Sequence, residues 1–105
     1  MPQFTLYKNK NSKSKADIPL LLDVQSDLLS DLHSRVVIPL YAKRADSMKP
    51  INKLMPELVL EGKQFILATP QLAGVALQDL GEPAGSLNQY RSEVIAALDM
   101  LITGI

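Results

Sequence analysis

The stretch Ser86-Leu87-Asn88-Gln89-Tyr90-Arg91-Ser92-Glu93-Val94-Ile95-Ala96-Ala97-Leu98-Asp99-Met100-Leu101-Ile102-Thr103-Gly104-Ile105 carries the plainest structural signal in the chain. Leu87, Tyr90, Val94, Leu98 and Leu101 recur at intervals of three and four residues, while Arg91, Glu93 and Asp99 fall outside that stripe. This is the pattern of a helix with one apolar face. Ser86 followed by Gln89 fits a capping box at its start. Gly104 suits the left-handed position that ends a helix.

Upstream the period changes from three-and-a-half to two. Gln3 to Tyr7 alternates, with Phe4 and Leu6 on one face, and reads as a half-buried strand. Lys8 to Asp17 is polar and reads as the loop of a hairpin whose second strand is Ile18 to Val24. Asp23 to Ser34 mixes leucines with Asp and Ser, which predicts a loop with one helical turn. Arg35 to Leu40 is β-branched and predicts a strand, which Pro39 pushes toward a sheet edge or a bulge. Glu57 to Leu60 and Gln64 to Thr69 flank a turn centred on Gly62 and predict a second hairpin. Gly74 to Leu80 predicts a further strand, and Gly81-Glu82-Pro83-Ala84-Gly85 a linker. About five short strands followed by one helix make an all-β or α+β fold, with residues 1–105 forming one domain.

Composition narrows the function. The chain has 105 residues, eleven basic and eleven acidic side chains, one histidine and no cysteine. Disulfides, thiolate metal sites and cysteine nucleophiles are excluded, and a two-histidine metal site cannot be built. No apolar run approaches bilayer-spanning or signal-peptide length, so a cytoplasmic location is expected. The zero net charge divides unevenly. Residues 1–50 carry eight basic and five acidic side chains, and residues 51–105 carry three and six. Lys8, Lys10, Lys13 and Lys15 cluster among Asn and Ser without interleaved Arg or aromatics. That cluster reads as a solvated loop rather than a nucleic-acid patch.

Catalytic groupings are thin. His33 lies in a polar loop, where a solvated imidazole is the expected outcome. Asp23, Asp27 and Asp31 are spaced by four, but in a weak helix former they read as turn and cap residues. There is no phosphate-cradling glycine loop, and no cofactor or metal is expected. Two features stand out instead. Leu28 and Leu29 are adjacent leucines between Ser26-Asp27 and Ser30-Asp31. Core packing is the first expectation for them, and an exposed partner-binding pair is the alternative. The tail Leu101-Ile102-Thr103-Gly104-Ile105 is apolar right after a helix end, so it is either docked in the core or presented to a partner.

The sequence resembles the CcdB family of toxins from bacterial toxin–antitoxin modules. Four pieces carry the resemblance: Gln3-Phe4, Asp23-Val24-Gln25-Ser26-Asp27 followed by two aliphatics, Val37-Ile38-Pro39-Leu40, and Gly104-Ile105 ending a helix. Their spacing extends it over essentially the whole chain. The resemblance implies a homodimer with an SH3-like β-barrel core, a small inserted sheet and a C-terminal helix. It implies a protein that binds the DNA gyrase A subunit and traps the cleaved-DNA complex without bond chemistry of its own. It also implies a CcdA-like antitoxin whose disordered C-terminal segment occupies the toxin and forms a repressor complex with it. The family's gyrase-contacting positions match Leu28, Leu29, Asp99, Ile102, Thr103, Gly104 and Ile105. Acidic antitoxin tails suit Lys8, Lys10, Lys13 and Lys15 as their binding loop.

Two positions depart from the family pattern. Thr103 stands where a plasmid member has Trp, and Asp99 where it has Asn, which bears on potency because Trp anchors often carry about 2 to 4 kcal/mol of binding. Two alternatives follow from the same resemblance. One is an endoribonuclease toxin of the MazF and Kid type, for which Arg35, His33 and Lys43-Arg44 are the available side chains. The other is an inactive chromosomal relic that binds only its antitoxin.

Overall fold

The computed structural model describes residues 2–44, 49 and 51–104. Among the described residues seven strands follow in chain order: β1 (Thr5–Asn9), β2 (Leu20–Asp23), β3 (Ser34–Ala42), β4 (Glu57–Leu60), β5 (Lys63–Leu67), β6 (Ala73–Ala76) and β7 (Leu80–Ser86). A single helix, α1 (Arg91–Thr103), closes the described chain. The strands run in the order β4-β5-β3-β2-β1-β7, with β6 also pairing β3, and every pairing is antiparallel. The result is an α+β fold, a curled half-barrel of antiparallel strands with a C-terminal helix. The expected small inserted sheet is β4 and β5 against the far end of β3, continuous with the rest.

Period-two alternation gives this sheet two apolar faces. Leu6, Leu22, Ile38 and Leu40 point to the inner face, where Phe65, Leu67, Leu87 and Val94 complete the main core. Tyr7, Val37 and Leu80 form a smaller cluster on the other face, with Leu21, Val75 and Leu77 packed around it. Of the predicted stripe, Leu87 and Val94 are fully buried and Tyr90 and Leu98 pack on the core. The helix begins later than the spacing predicts: Ser86 Oγ accepts the Asn88 N–H at 3.1 Å ahead of a 3-10 turn, Asn88–Tyr90. Helix α1 starts at Arg91 without the expected Ser86–Gln89 capping box.

Four local readings of the strands also need correction. The first strand begins at Thr5 because Phe4 takes a left-handed φ of 68°, which interrupts extended backbone. Pro39 lies inside β3, opposite Leu21 of β2, rather than at an edge. Its other side faces the point where β3 changes partner from β6 (Val37 opposite Ala73) to β5 (Leu40 opposite Leu67), so no N–H is needed there. The segment read as a strand over Gly74 to Leu80 is split into β6 and a 3-10 turn, Leu77–Asp79.

The supposed linker Gly81 to Gly85 is the body of β7. It pairs with β1 through two bulges, Thr5 opposite Ser86, Tyr7 opposite Pro83 and Asn9 opposite Leu80. Gly81 is required there, since a Cβ would come within 2.5 Å of the Lys8 carbonyl oxygen. The second hairpin is as expected. Glu61 and Gly62 take φ of 50° and 77° between Leu60 and Lys63, both positive as a two-residue primed turn demands.

Candidate functional site

Two connections leave β2, and both display side chains a partner could meet. The first is the β2–β3 connection. Beyond Asp23 the chain makes a 3-10 turn, Asp27–Leu29, whose start is capped by Ser26: its hydroxyl oxygen accepts the Leu28 N–H at 3.2 Å. The turn lifts Leu28 to 94% exposure and leaves Leu29 and Leu32 half exposed. The expectation that core packing absorbs the leucine pair is corrected: both lie at the surface, while Asp23, Gln25 and Arg35 are buried at the base of the connection.

Those polar groups form one network. Arg35 and Asp23 are almost wholly buried, and Arg35 Nε lies 3.5 Å from Asp23 Oδ2. The Arg35 guanidinium also donates to the Leu32, Ser34 and Ser30 carbonyls at 3.0, 3.0 and 2.8 Å. Asp23 Oδ1 accepts the Gln25 N–H at 2.9 Å. Burial pushes the Asp23 carboxyl above its ordinary value, and the Gln25 N–H and the Arg35 charge offset only part of that rise. Tyr7, whose hydroxyl is buried beside them, is pushed up by its own burial and by Asp23.

The N-terminal pair ties this loop to the helix. The Gln3 N–H donates to Asp27 Oδ1 at 2.7 Å, and its carboxamide donates to the Val24 carbonyl at 3.0 Å. Phe4 donates its N–H to the Asp23 carbonyl at 2.7 Å and accepts the Leu87 N–H at 2.9 Å. Arg91, first residue of α1, lies 5.3 Å above the Phe4 ring. A bulky residue at positive φ is strained by about 1 to 3 kcal/mol, and here both main-chain groups and the ring hold it in place.

At the far end of α1, Asp99, Ile102, Thr103 and Gly104 are all exposed, Ile102 at 75%. Asp99, Ile102 and Thr103 share one face by their spacing. The Thr103 hydroxyl donates back to the Asp99 carbonyl at 2.6 Å, and Gly104, at φ 76°, donates its N–H to Met100 as the C-cap. Ile105 lies outside the described residues. The structure thus brings Leu28, Leu29 and Leu32 together on one loop and Asp99 to Gly104 on one helical turn. Among the described residues no hydrogen bond or ion pair joins the two groups.

The second connection, β1–β2, presents Lys10, Lys13 and Lys15, with Lys8 near the end of β1 beside them, all exposed. It is more ordered than a solvated loop needs to be. Asn9 donates through its carboxamide to Ser14 Oγ and the Ile18 carbonyl, and Asn9 and Asn11 oxygens accept the Asn11 and Lys13 N–H groups. Lys8 pairs with Glu82 at 3.8 Å, and Lys10 reaches the Gln78 carbonyl. Beside the loop runs an open groove of about 980 Å³ lined by Lys8, Lys15 and Lys63 together with Leu6, Leu20, Val59 and Phe65. Its β4 wall is held by Tyr90, whose hydroxyl accepts the Val59 N–H and donates to the Val59 carbonyl.

Among the described residues the candidate bond-making groups do not converge. Arg35 is consumed by the fold, His33 is exposed, and Lys43 and Arg44 are paired with Glu57 and Asp17. Among the described residues no three His, Cys, Asp or Glu side chains are grouped to hold a metal ion, and no helix is long and apolar enough to cross a membrane. Sequence reasoning missed Gln3, Gln25 and Leu32. Leu32 carried a signal in its helical spacing from Leu28 and Leu29, whereas Gln3 and Gln25 stood only among the residues of the family resemblance, with no pattern to mark their hydrogen bonds. A family model described as CcdB protein matches residues 3–104, so this chain, which displays apolar side chains on a loop and a helix end, belongs to the CcdB family of toxin–antitoxin toxins.

Proposed function

We propose that this toxin acts as a homodimer that binds the A subunit of DNA gyrase and holds the enzyme on cleaved DNA, doing no bond chemistry itself. The observation that carries the reading is Leu28, an almost fully exposed leucine on a loop fixed by a buried polar network. A solvated apolar side chain on a rigid support is suited to enter a partner's pocket, because little ordering entropy is lost when it binds. Ile102, Thr103, Gly104, Asp99 and the terminal Ile105 supply the second part of the surface, and two-fold symmetry doubles both parts. Leu29 borders Leu28.

The antitoxin is read at the other connection. Lys8, Lys10, Lys13 and Lys15 face an acidic segment, and the groove beside them offers apolar walls to the side chains of such a segment. Occupied and free toxin then differ in which surface is covered, which suits a cytoplasmic regulatory pair. The endoribonuclease alternative is weakened by Arg35, whose guanidinium is buried on an aspartate and three carbonyls and cannot reach a phosphate.

The test uses purified protein with gyrase, ATP and supercoiled plasmid, followed by detergent and protease. Linear DNA accumulates with the wild type, and Leu28→Lys or Ile102→Lys abolishes it, each costing about 2 kcal/mol or more of binding. Absence of linear DNA and of binding to the A-subunit dimerisation segment sinks the reading. With antitoxin binding intact, that outcome identifies a relic; RNA cleavage without gyrase identifies a nuclease.

A further inference from the structure

The Gln25 side chain does something the surface reading does not explain. Backbone pairing between β2 and β3 continues past Asp23 with the Val24 N–H on the Val36 carbonyl at 3.0 Å. The next backbone group, the Val36 N–H, goes instead to Gln25 Oε1 at 3.2 Å. The other end of the same carboxamide donates from Nε2 to the Leu29 carbonyl at 3.0 Å. Gln25 is buried, so neither bond is readily replaced by water. One amide thus fastens the exposed turn to the edge of β3.

Arg35 acts on the next stretch. Its three carbonyl acceptors, Ser30, Leu32 and Ser34, lie downstream of Leu29, and its charge is compensated by Asp23 from within the sheet. Asp23 in turn orients Gln25 through the Gln25 N–H. The Leu29, Ser30, Leu32 and Ser34 carbonyls are therefore drawn inward by buried donors. The leucines, whose backbone is held this way, face out. A core that only needed stability would bury leucines here and leave the polar groups in water.

We propose that Gln25, supported by the Asp23–Arg35 pair, is a positioning residue that fixes the Leu28–Leu29 turn in the conformation that meets the partner. This rests on the gyrase reading for the identity of that partner, but the device itself is a property of the loop. The chemistry requires a primary amide, because acceptor and donor are both used. Gln25→Glu keeps the acceptor and loses the donor to Leu29. Gln25→Met keeps the volume and loses both.

The experiment compares wild type, Gln25→Glu and Gln25→Met by amide hydrogen exchange and by calorimetric titration of the gyrase A-subunit dimerisation segment. Losing the Leu29 bond is expected to speed exchange across residues 26–32 by about tenfold while β1, β5 and α1 keep wild-type rates, and to weaken binding about tenfold. Leu28→Ala serves as the control that weakens binding with wild-type exchange. Unchanged exchange in 26–32, exchange raised equally throughout the sheet, or faster loop exchange with wild-type affinity each overturns the proposal. Wild type that does not bind gyrase sinks the gyrase reading alone, and the exchange measurement then decides whether Gln25 positions the turn.

Discussion

The two connections of β2 are built from similar residues and end in opposite displays. The β1–β2 connection uses Asn9, Asn11 and Ser14, none of them buried, and it shows lysines. The β2–β3 connection uses Asp23, Gln25 and Arg35, whose side chains are buried, and it shows leucines. What differs is where the organising polar groups sit. Surface asparagines shape a loop at small cost and leave it adaptable, since water can replace each bond. A buried ion pair and amide fix a loop firmly, because any departure leaves a desolvated charge without a partner.

The sharpest way to break this comparison is to remove one buried charge. Arg35→Met leaves Asp23 buried and unpaired and three carbonyls without their donor, so it should lower stability by about 3 to 5 kcal/mol in urea denaturation. A loss under about 1 kcal/mol would show that the network is solvated in the folded protein. Asn9→Ala probes the other connection. It removes two donated bonds, to Ser14 and Ile18, and one accepted from Asn11, and should cost only about 1 to 2 kcal/mol. Equal losses for the two variants would erase the distinction between the loops.

Acidity gives a third handle on the buried connection alone. The Asp23 carboxyl is raised above its ordinary 3.8 by burial. Stability linked to a raised group is present below the unfolded value and is lost as pH rises through the folded one. Lowering the pH from neutral toward 4 should therefore stabilise the wild type relative to Asp23→Asn, measured by thermal unfolding of both proteins. A difference that shrinks on acidification would mean that the Arg35 charge, rather than desolvation, governs this carboxyl.

Legibility in the sequence followed the same divide between local and non-local causes. The stripe from Leu87 to Leu101 and the Glu61-Gly62 turn are local signals, and both elements form, though the helix starts only at Arg91, after a 3-10 turn in place of the expected capping box. The strand β7 was illegible because its pairing with β1 runs through bulges that admit Gly81 and Pro83 where turn residues normally mean a linker. Arg35 was legible as part of a strand but not as a buried cation, since its partner Asp23 is twelve residues away and belongs to another strand. Exposure of Leu28 follows from that pairing. The leucines could be recognised as unusual, but their direction was set by polar residues whose burial no spacing rule predicts.

The lysines offer the finest test of the contrast. Lys13 and Lys15 are exposed, and replacing both with Gln should change stability by less than about 0.5 kcal/mol, because surface charges away from buried features contribute little. Their effect belongs to recognition. If this connection receives an acidic antitoxin segment, the double variant should slow association at low salt, and the difference from wild type should fade as ionic strength rises past the physiological range. Gyrase binding should be unaffected, since the leucines stand on the other connection, behind a separate set of hydrogen bonds. Stopped-flow association with an antitoxin peptide at several salt concentrations measures the first effect, and titration with gyrase the second. A variant that loses gyrase binding and keeps its salt-dependent antitoxin association would reverse the assignment of the two surfaces, and with it the link between a buried network and a display that must stay rigid.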